Sequence, residues 1–310
     1  MAAPTNTLDT TLNAINSITE RFIFPMLEDN INTSNPLLMK IEKTNVSGGT
    51  DLRVPVRYRR GTQQNYAGSE TLNVDYVEKK FSFIFPWAQK NFPITISGLD
   101  DIKNNGAQAI LDHVKTEFQA AEEDAKDSFA TGLYSAGTDP KEIVGVGVML
   151  STSNVYGGIS QTLQSWSRAQ VDATTTALSL SALNVMYEAA KEGNDAPDLI
   201  CFDEAQFVKL WGLFQPQQRF TDSETAGGGF KNLMFNGAVC VEDSYVASNQ
   251  IVGLALKHLK LVSSSKRAFP GERIPFDAPI NQDAKVGHIR WAGQLICGQP
   301  RKNFVFTALT

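Results

Sequence analysis

Residues 48–93 constrain the fold most, because they read as two β limbs joined by a polar loop. Polar and apolar residues alternate across residues 51–58, and the alternation returns in residues 72–76 and again in residues 81–85. Such alternation on both sides of a glycine-containing turn region, residues 59–71, predicts a long β-hairpin. Each limb of about 20 residues would span roughly 65 Å, at about 3.3 Å per residue. An isolated hairpin is marginal in water and has open edges, so we expect this arm to lie on a neighbouring subunit.

Composition and charge exclude several classes of protein. The chain has 310 residues, of which 42% are hydrophobic and 20% charged, and these fractions argue against a disordered chain. Its length predicts one large or two moderate domains. The net charge of −5 and the sequence pI of about 5.3 argue against a domain that mainly binds nucleic acid, because such domains usually carry a basic excess.

The cysteines and the N-terminal residues indicate in which cellular compartment the chain assembles. Cys201, Cys240 and Cys297 are far apart and odd in number, which predicts reduced thiols and assembly in the cytoplasm. No CxxC pair occurs, so we expect no zinc site. Residues 1–9 lack the basic and apolar runs of a signal peptide, and no run of 18 apolar residues occurs, so we expect no membrane association.

A long helix is the second strong signal. Within residues 105–134, one apolar stripe predicts a helix of about 30 residues, roughly 45 Å long. Its members are Ile110, Val114, Phe118, Ala121, Ala125 and Phe129. Residues 1–47 read as an N-terminal arm with a short amphipathic helix near residues 8–18, although an ordinary helix docked on the core fits them equally well.

The second half of the chain alternates helices and strands. We predict a helix capped by Ser181, a buried strand over residues 199–202, and a helix begun by Asp203 with Gln206 completing a capping box. Further strands are predicted at residues 237–241, 251–256, 259–262, 288–295 and 304–309. The glycine-rich loop between the second helix and the first of these strands is predicted to be mobile; it contains Gln215, Gly227, Gly228, Gly229 and Lys231.

The pattern contains no recognisable catalytic, cofactor or metal site. The histidines, His113, His258 and His288, do not have a metal-binding spacing. Adjacent carboxylates such as Glu122 and Glu123 diverge by about 100° on a helix and do not face each other. Gly227 to Gly229 lack the GxxxxGK[ST] pattern of a phosphate loop. We therefore expect a protein that is not an enzyme and has no cofactor.

One local concentration of basic residues lies on the predicted hairpin. Its arginines could meet nucleic-acid phosphates, with Tyr58 and Tyr66 stacking on bases, or they could meet acidic residues of the next subunit. We favour the interface, because the hairpin projects and the whole chain is acidic. The predicted inter-subunit contact set is Arg53, Arg57, Arg59, Arg60, Tyr66, Phe81 and Phe83.

In this order of parts, the chain resembles the major capsid proteins of tailed bacteriophages, which have the Hong Kong ninety-seven type fold. The resemblance implies an α+β phage capsid fold with an N-terminal arm (residues 1–47) and an extended β-hairpin, the E-loop (48–93). It also implies a peripheral (P) domain with a long spine helix (94–154 and 263–310) and an α/β axial (A) domain (155–262).

The resemblance further implies hexamers and pentamers that tile an icosahedral head around double-stranded DNA, which the shell contacts only non-specifically. The location would be the virion, and the host cytoplasm during assembly. Expected partners are a separate scaffolding protein, a portal and, as an optional addition, a decoration protein. Some family members crosslink through an E-loop lysine; residues 59–71 contain none, while Lys79 and Lys80 lie on the returning limb, so we predict no covalent crosslinking.

Three alternatives stay open at this stage. An encapsulin-like bacterial compartment would share the fold but enclose protein cargo and no DNA. An α/β enzyme with an active site in the second half of the chain belongs to a different class. A surface-binding module that uses the basic hairpin is the third.

Overall fold

The computed structural model describes residues 35–98, 107–137, 139–214, 233–269, 271–278 and 283–310, without the side chains of residues 107–115 and 273. The N-terminal arm and the predicted mobile loop lie outside these residues, apart from residues 35–47 of the arm. The helices are α1 (Pro36–Lys40), α2 (Ala107–Tyr134), α3 (Val146–Met149), α4 (Leu180–Ala190) and α5 (Glu204–Phe214).

The strands alternate with these helices along the chain. They are β1 (Glu42–Val46), β2 (Leu52–Arg57), β3 (Lys80–Phe85), β4 (Ala88–Ser97), β5 (Val155–Tyr156), β6 (Ile159–Ser160), β7 (Gln170–Asp172), β8 (Leu199–Phe202), β9 (Leu233–Phe235), β10 (Ala238–Glu242), β11 (Ile251–Leu254), β12 (Leu259–Ser264), β13 (Glu272–Asp277), β14 (Ala284–Cys297) and β15 (Phe304–Phe306).

A five-stranded sheet is built around β14, a strand of 14 residues. It pairs antiparallel with β4, β12 and β13, and β1 adds in parallel to β12. Helix α2 packs against β4. The fully buried ring of Phe129 on α2 lies with its centroid 5.8 Å from that of Phe92 and 5.2 Å from that of Trp291.

Helix α2 confirms the predicted long helix and its apolar stripe. It has 28 residues, about 42 Å at about 1.5 Å per residue. The stripe members whose side chains are described, Phe118, Ala121, Ala125 and Phe129, are all buried. Off the stripe, Lys126 forms a salt bridge of 3.2 Å with Glu122, four residues earlier on the helix.

A six-stranded sheet, in the order β7-β15-β11-β8-β10-β9, forms the α/β part of the chain. On one face Ile200 and Phe202 pack in a core with Leu183 of α4 and Leu210 of α5. On the other face Leu199 joins the core that α2 shares with the five-stranded sheet. Both faces of β8 are therefore covered, which explains its continuous apolar sequence.

Two strands, β12 and β15, belong to other sheets than the predicted domain ranges imply. Residues 304–306 were grouped with the long helix, but β15 lies between β7 and β11 in the six-stranded sheet. The predicted division at residue 262 cuts through β12, which runs to Ser264 and pairs with β1 and β14 in the five-stranded sheet. Both differences arise from pairings between residues distant in sequence.

The hairpin is much shorter than predicted. Strands β2 and β3 pair over six residues each, about 20 Å of ladder at about 3.3 Å per residue. Residues 58–79 contain no strand, and β4, predicted as part of the returning limb, belongs to the five-stranded sheet. The ladder persists where the rest of the chain covers it: the N–H of Ile84 donates to the carbonyl of Gly157 at 3.0 Å.

The helix starts also differ in detail. Helix α4 is capped by Ser179 rather than Ser181, with the Ser179 hydroxyl oxygen accepting from the N–H of Ala182. The predicted capping box of α5 is replaced by contacts to Asn249. The backbone N–H of Asn249 donates to the Asp203 carboxylate at 3.0 Å, and the side-chain oxygen of Asn249 accepts from the Gln206 amide at 3.2 Å.

Candidate inter-subunit surface

An aromatic cluster anchors the base of the hairpin to the body of the chain. The ring centroid of Tyr156 lies 5.5 Å from that of Phe83 and 5.1 Å from that of Phe85. The Tyr156 hydroxyl oxygen accepts from the N–H of Cys297 at 2.8 Å, which ties the cluster to β14. The base of the hairpin is therefore part of a buried platform within its own chain.

Phe83 belongs to this platform and not to an inter-subunit surface. Its exposed fraction is 0%, whereas Phe81, two residues earlier on the same side of β3, is 47% exposed. Val54 and Val56 pair opposite them on β2. The predicted contact role of Phe83 is therefore wrong, because residues of its own chain already cover the side chain completely.

The four predicted arginines are all exposed. Arg53 and Arg57 stand on the outer side of the ladder, opposite Ile84 and Lys80. Arg59 and Arg60 follow where the ladder stops. An open groove of about 460 Å³ joins part of this set to a turn of the α/β part; its lining is Arg57, Tyr58, Arg59, Arg60, Gln63 and Glu192. We call it the basic groove.

A second groove lies beside the basic groove and is mostly apolar. The rings of Tyr58 and Trp166 stack in its wall with centroids 5.3 Å apart. Its volume is about 390 Å³, and its lining is Tyr58, Glu78, Phe81, Gly158, Ile159, Ser160, Leu163, Gln164 and Trp166. We call it the apolar groove. Tyr58 lines both grooves, so the two form one continuous surface.

The outer part of the hairpin leaves its apolar side chains exposed. Leu72 is 51% exposed, Val74 89% and Tyr76 92%, and Tyr66 is exposed as well. The Gln64 side chain donates to the carbonyl of Thr71 at 3.2 Å and accepts from the N–H of Asn73 at 2.7 Å. These bonds hold the turn together without covering any of the apolar side chains.

A charged cluster at Asp195, next to the basic groove, has no local signal in the sequence. The Asp195 carboxylate accepts from Lys257 at 2.7 Å and from Lys302 at 2.6 Å, and His258 lies 3.3 Å away. The Lys257 and Lys302 ammonium groups hold the pKa of Asp195 well below its usual range. Burial, together with the charge of Lys302, lowers the pKa of His258. Asp195 is at least 62 positions away from each of these three partners, so no local pattern could reveal the cluster.

A buried polar contact connects α2 to the six-stranded sheet. The Tyr134 hydroxyl, at the end of α2, donates to the Asp243 carboxylate at 2.8 Å, just after β10. Burial raises the pKa of Asp243. Burial also raises the pKa of the three free thiols, those of Cys201, Cys240 and Cys297, to about 12.

Other features of the described residues add no chemistry. No group of three or more metal-ligating side chains comes together among them. None of their helices combines the length and apolarity that a membrane crossing requires. Of the histidines, His258 joins the Asp195 cluster and His288 lies on β14.

Comparison with solved structures identifies the fold. No protein-family model matches the sequence, and no curated protein is significantly similar to it. The capsid of cyanophage A-1(L) superimposes with a TM-score of 0.67 at 14% identity, covering 89% of this chain and 93% of that one. The chain has the Hong Kong ninety-seven type capsid fold.

Two further structures support the capsid fold. The capsid of an empty GTA particle matches with a TM-score of 0.63 at 11% identity, covering 89% of this chain and 90% of that one. The holo-SrpI encapsulin of Synechococcus elongatus PCC 7942 matches with a TM-score of 0.56 at 11% identity, covering 89% of each chain. The capsid fold predicted from the order of elements in the sequence is therefore confirmed.

Proposed function

We propose that the chain is a major capsid protein that self-assembles into the hexamers and pentamers of an icosahedral phage head enclosing double-stranded DNA. The observation that carries this proposal is a capsid fold matched over about nine-tenths of the chain. The described residues add a projecting hairpin whose outer apolar side chains are bare. A subunit with such an arm is completed only by a neighbour.

The parts of the fold take family roles within this proposal. Residues 1–47 would be the N-terminal arm and residues 48–93 the E-loop. Helix α2 with the five-stranded sheet would form the P domain. The A domain would be the six-stranded sheet with α4 and α5, which adds β15 to the predicted range. The chain would not be an enzyme, its shell would not be covalently crosslinked, and a scaffolding protein and a portal would be its partners.

An encapsulin-like compartment is the second candidate, because an encapsulin shell protein matches over the same share of the chain. Electron microscopy of the purified chain, with and without its scaffolding protein, separates the two. Closed shells that need scaffolding support the phage head. Closed shells from the chain alone that capture a cargo protein favour the compartment. Small discrete oligomers at high concentration under both conditions would contradict both.

The basic residues give a second test. Reversing the charges of Arg57, Arg59 and Arg60 to Glu should slow shell assembly, more at low salt than at high salt, because salt screens exposed charge pairs. Light scattering during assembly measures this rate. A matched control reverses three exposed lysines outside the hairpin, Lys141, Lys209 and Lys266. Equal effects of the two triple variants would remove the assigned role of the hairpin arginines.

A further inference from the structure

The first observation is a polar pocket between the base of the hairpin and the rest of the chain. Its volume is about 370 Å³, at the lower end of the range of small-molecule sites. The hairpin supplies one wall and the single 3₁₀ turn Pro300–Lys302 supplies another, so we call it the bridging pocket. Its lining includes Arg57, Tyr58, Trp166, Glu192, Arg301 and Lys302.

The second observation is that two distant parts of the chain bring positive charge to this pocket. Arg57 comes from the hairpin, whereas Arg301 and Lys302 come from the 3₁₀ turn; Glu192 is the single carboxylate among the described residues that line it. Neither Arg57 nor Arg301 has a carboxylate of the described chain within 4.0 Å of its guanidinium group. Like charges therefore line one pocket without a protein counter-ion, which is unfavourable unless an anion from outside joins them.

The third observation is a buried cation with unused hydrogen-bond donors. The side chain of Lys302 is only 7% exposed, and its ammonium group donates to the Asp195 carboxylate at 2.6 Å. An ammonium group has three N–H donors, and the described residues offer Lys302 no second acceptor. Asp195 is also shared with Lys257, at 2.7 Å, so one carboxylate serves two ammonium groups. Buried donors are normally satisfied, so Lys302 indicates an acceptor that the protein itself does not supply.

We propose that the bridging pocket binds a compact polyanion of the phosphate type, such as pyrophosphate. Arg57 and Arg301 each present a planar guanidinium fork, which suits bidentate contacts with phosphate oxygens, and Lys302 supplies its remaining N–H donors. The bound anion ties the base of the hairpin to the 3₁₀ turn through charge pairs that the described chain does not form by itself. This site goes beyond the proposed function and does not depend on it.

The shape of the pocket favours a small anion over the phosphates of double-stranded DNA. A duplex carries its phosphates on a convex surface, so it can reach Arg57 and Arg301, which are exposed. It cannot reach in the same way a lysine that is 7% exposed in the wall of a pocket. Because both sources offer the same phosphate oxygens, the experiment compares pyrophosphate with a short DNA duplex.

Isothermal titration calorimetry of the full-length, unassembled subunit with pyrophosphate tests the site, at constant ionic strength so that screening does not change. Saturable binding is expected. Arg57→Gln and Arg301→Gln should each weaken it at least about tenfold, because a hydrogen bond to a charged group is typically worth that much. The matched control is Lys209→Gln, an exposed charge on α5 outside the pocket, which should leave the affinity unchanged. Absence of saturable binding, or an equal loss in the control, would overturn the site.

A change of the opposite sign gives an independent readout. Glu192→Gln should tighten pyrophosphate binding by about two- to fivefold, because it removes the carboxylate that repels the anion in the pocket. Glu123→Gln, the same charge change on an exposed residue of α2, should not; equal affinities of these two variants would overturn the assigned position of the anion.

The DNA duplex completes the test. Duplex binding that requires Arg57 and Arg301, without binding of pyrophosphate, would overturn the small-anion site in favour of DNA phosphates. Because the subunit is unassembled throughout, a failure of the anion site leaves the proposed function standing, and a failure to form shells leaves the anion site standing.

Discussion

Replacing Phe83 by Ala tests whether the hairpin base is a platform of its own chain. Complete burial of an aromatic side chain removes about 150–250 Å² from water, which is worth roughly 4–6 kcal/mol at about 25 cal/mol per Å². Alanine keeps part of that area, and buried Phe-to-Ala substitutions typically cost about 3–5 kcal/mol. We expect a loss in this range, because Phe83 is 0% exposed and contacts three aromatic rings.

The assay is urea unfolding of the unassembled subunit, followed by tryptophan fluorescence. Trp166 is a local probe, since its ring centroid lies 5.8 Å from that of Phe83. With an m-value of about 3 kcal/mol per M, the midpoint should fall by at least about 1 M. The matched variant is Phe81→Ala: because Phe81 is 47% exposed, no closed cavity forms, and we expect only about 1–2 kcal/mol.

Assembly completes the comparison. Phe81→Ala should reduce shell formation despite its small effect on the subunit, because Phe81 lines the apolar groove. A Phe83→Ala subunit with an unchanged urea midpoint and no shell formation would refute the reasoning. That result would mean that Phe83 meets a neighbouring subunit, as the alternation in the sequence suggested.

Three further predictions concern other parts of the chain. Burial raises the pKa of the Asp243 carboxyl group above 3.8. The protonated carboxyl group therefore adds to the free energy of unfolding below that pH, and this contribution is lost as the pH rises through the raised pKa. Asp243→Asn should flatten this part of the curve of unfolding free energy against pH. Gly253→Ala should cost about 1–3 kcal/mol by urea unfolding, because a Cβ there would lie 2.0 Å from the Phe304 ring, whereas Gly212→Ala on α5, with nothing within 4 Å, should gain about 0.5–1 kcal/mol. Replacing residues 59–71 by a short turn should leave circular dichroism and subunit stability nearly unchanged but abolish shells by electron microscopy; normal shells would remove the role of the arm.

Features with a local period were predictable from the sequence. The stripe of α2 repeats every three to four residues, and the strand β8 is a short apolar run between turn residues, so each carries its own signal. No local pattern in the sequence shows which part of the hairpin packs against the rest of the chain. Phe81 and Phe83 alternate identically, and only the cover supplied by Tyr156 and Trp166 buries one more than the other.

Features set by distant pairings were not predictable. The Asp195 cluster joins residues separated by up to 107 positions, and β15 pairs with β7 across more than 130 positions. The overestimated hairpin has a different cause. Residues 72–76 keep the alternation of a strand, but no surface of the described chain covers their apolar side chains, so the pattern predicts a strand where one subunit has none.

The position of β15 has a consequence for truncated chains. Residues 304–306 lie inside the six-stranded sheet, between β7 and β11, and not at its edge. The five-stranded sheet, by contrast, ends its last strand at Cys297 and needs none of these residues. A chain that stops after Cys297 therefore keeps every strand of the five-stranded sheet but leaves two unpaired strand edges in the other one. Unpaired edges invite pairing with other chains, so we expect such a truncated chain to aggregate.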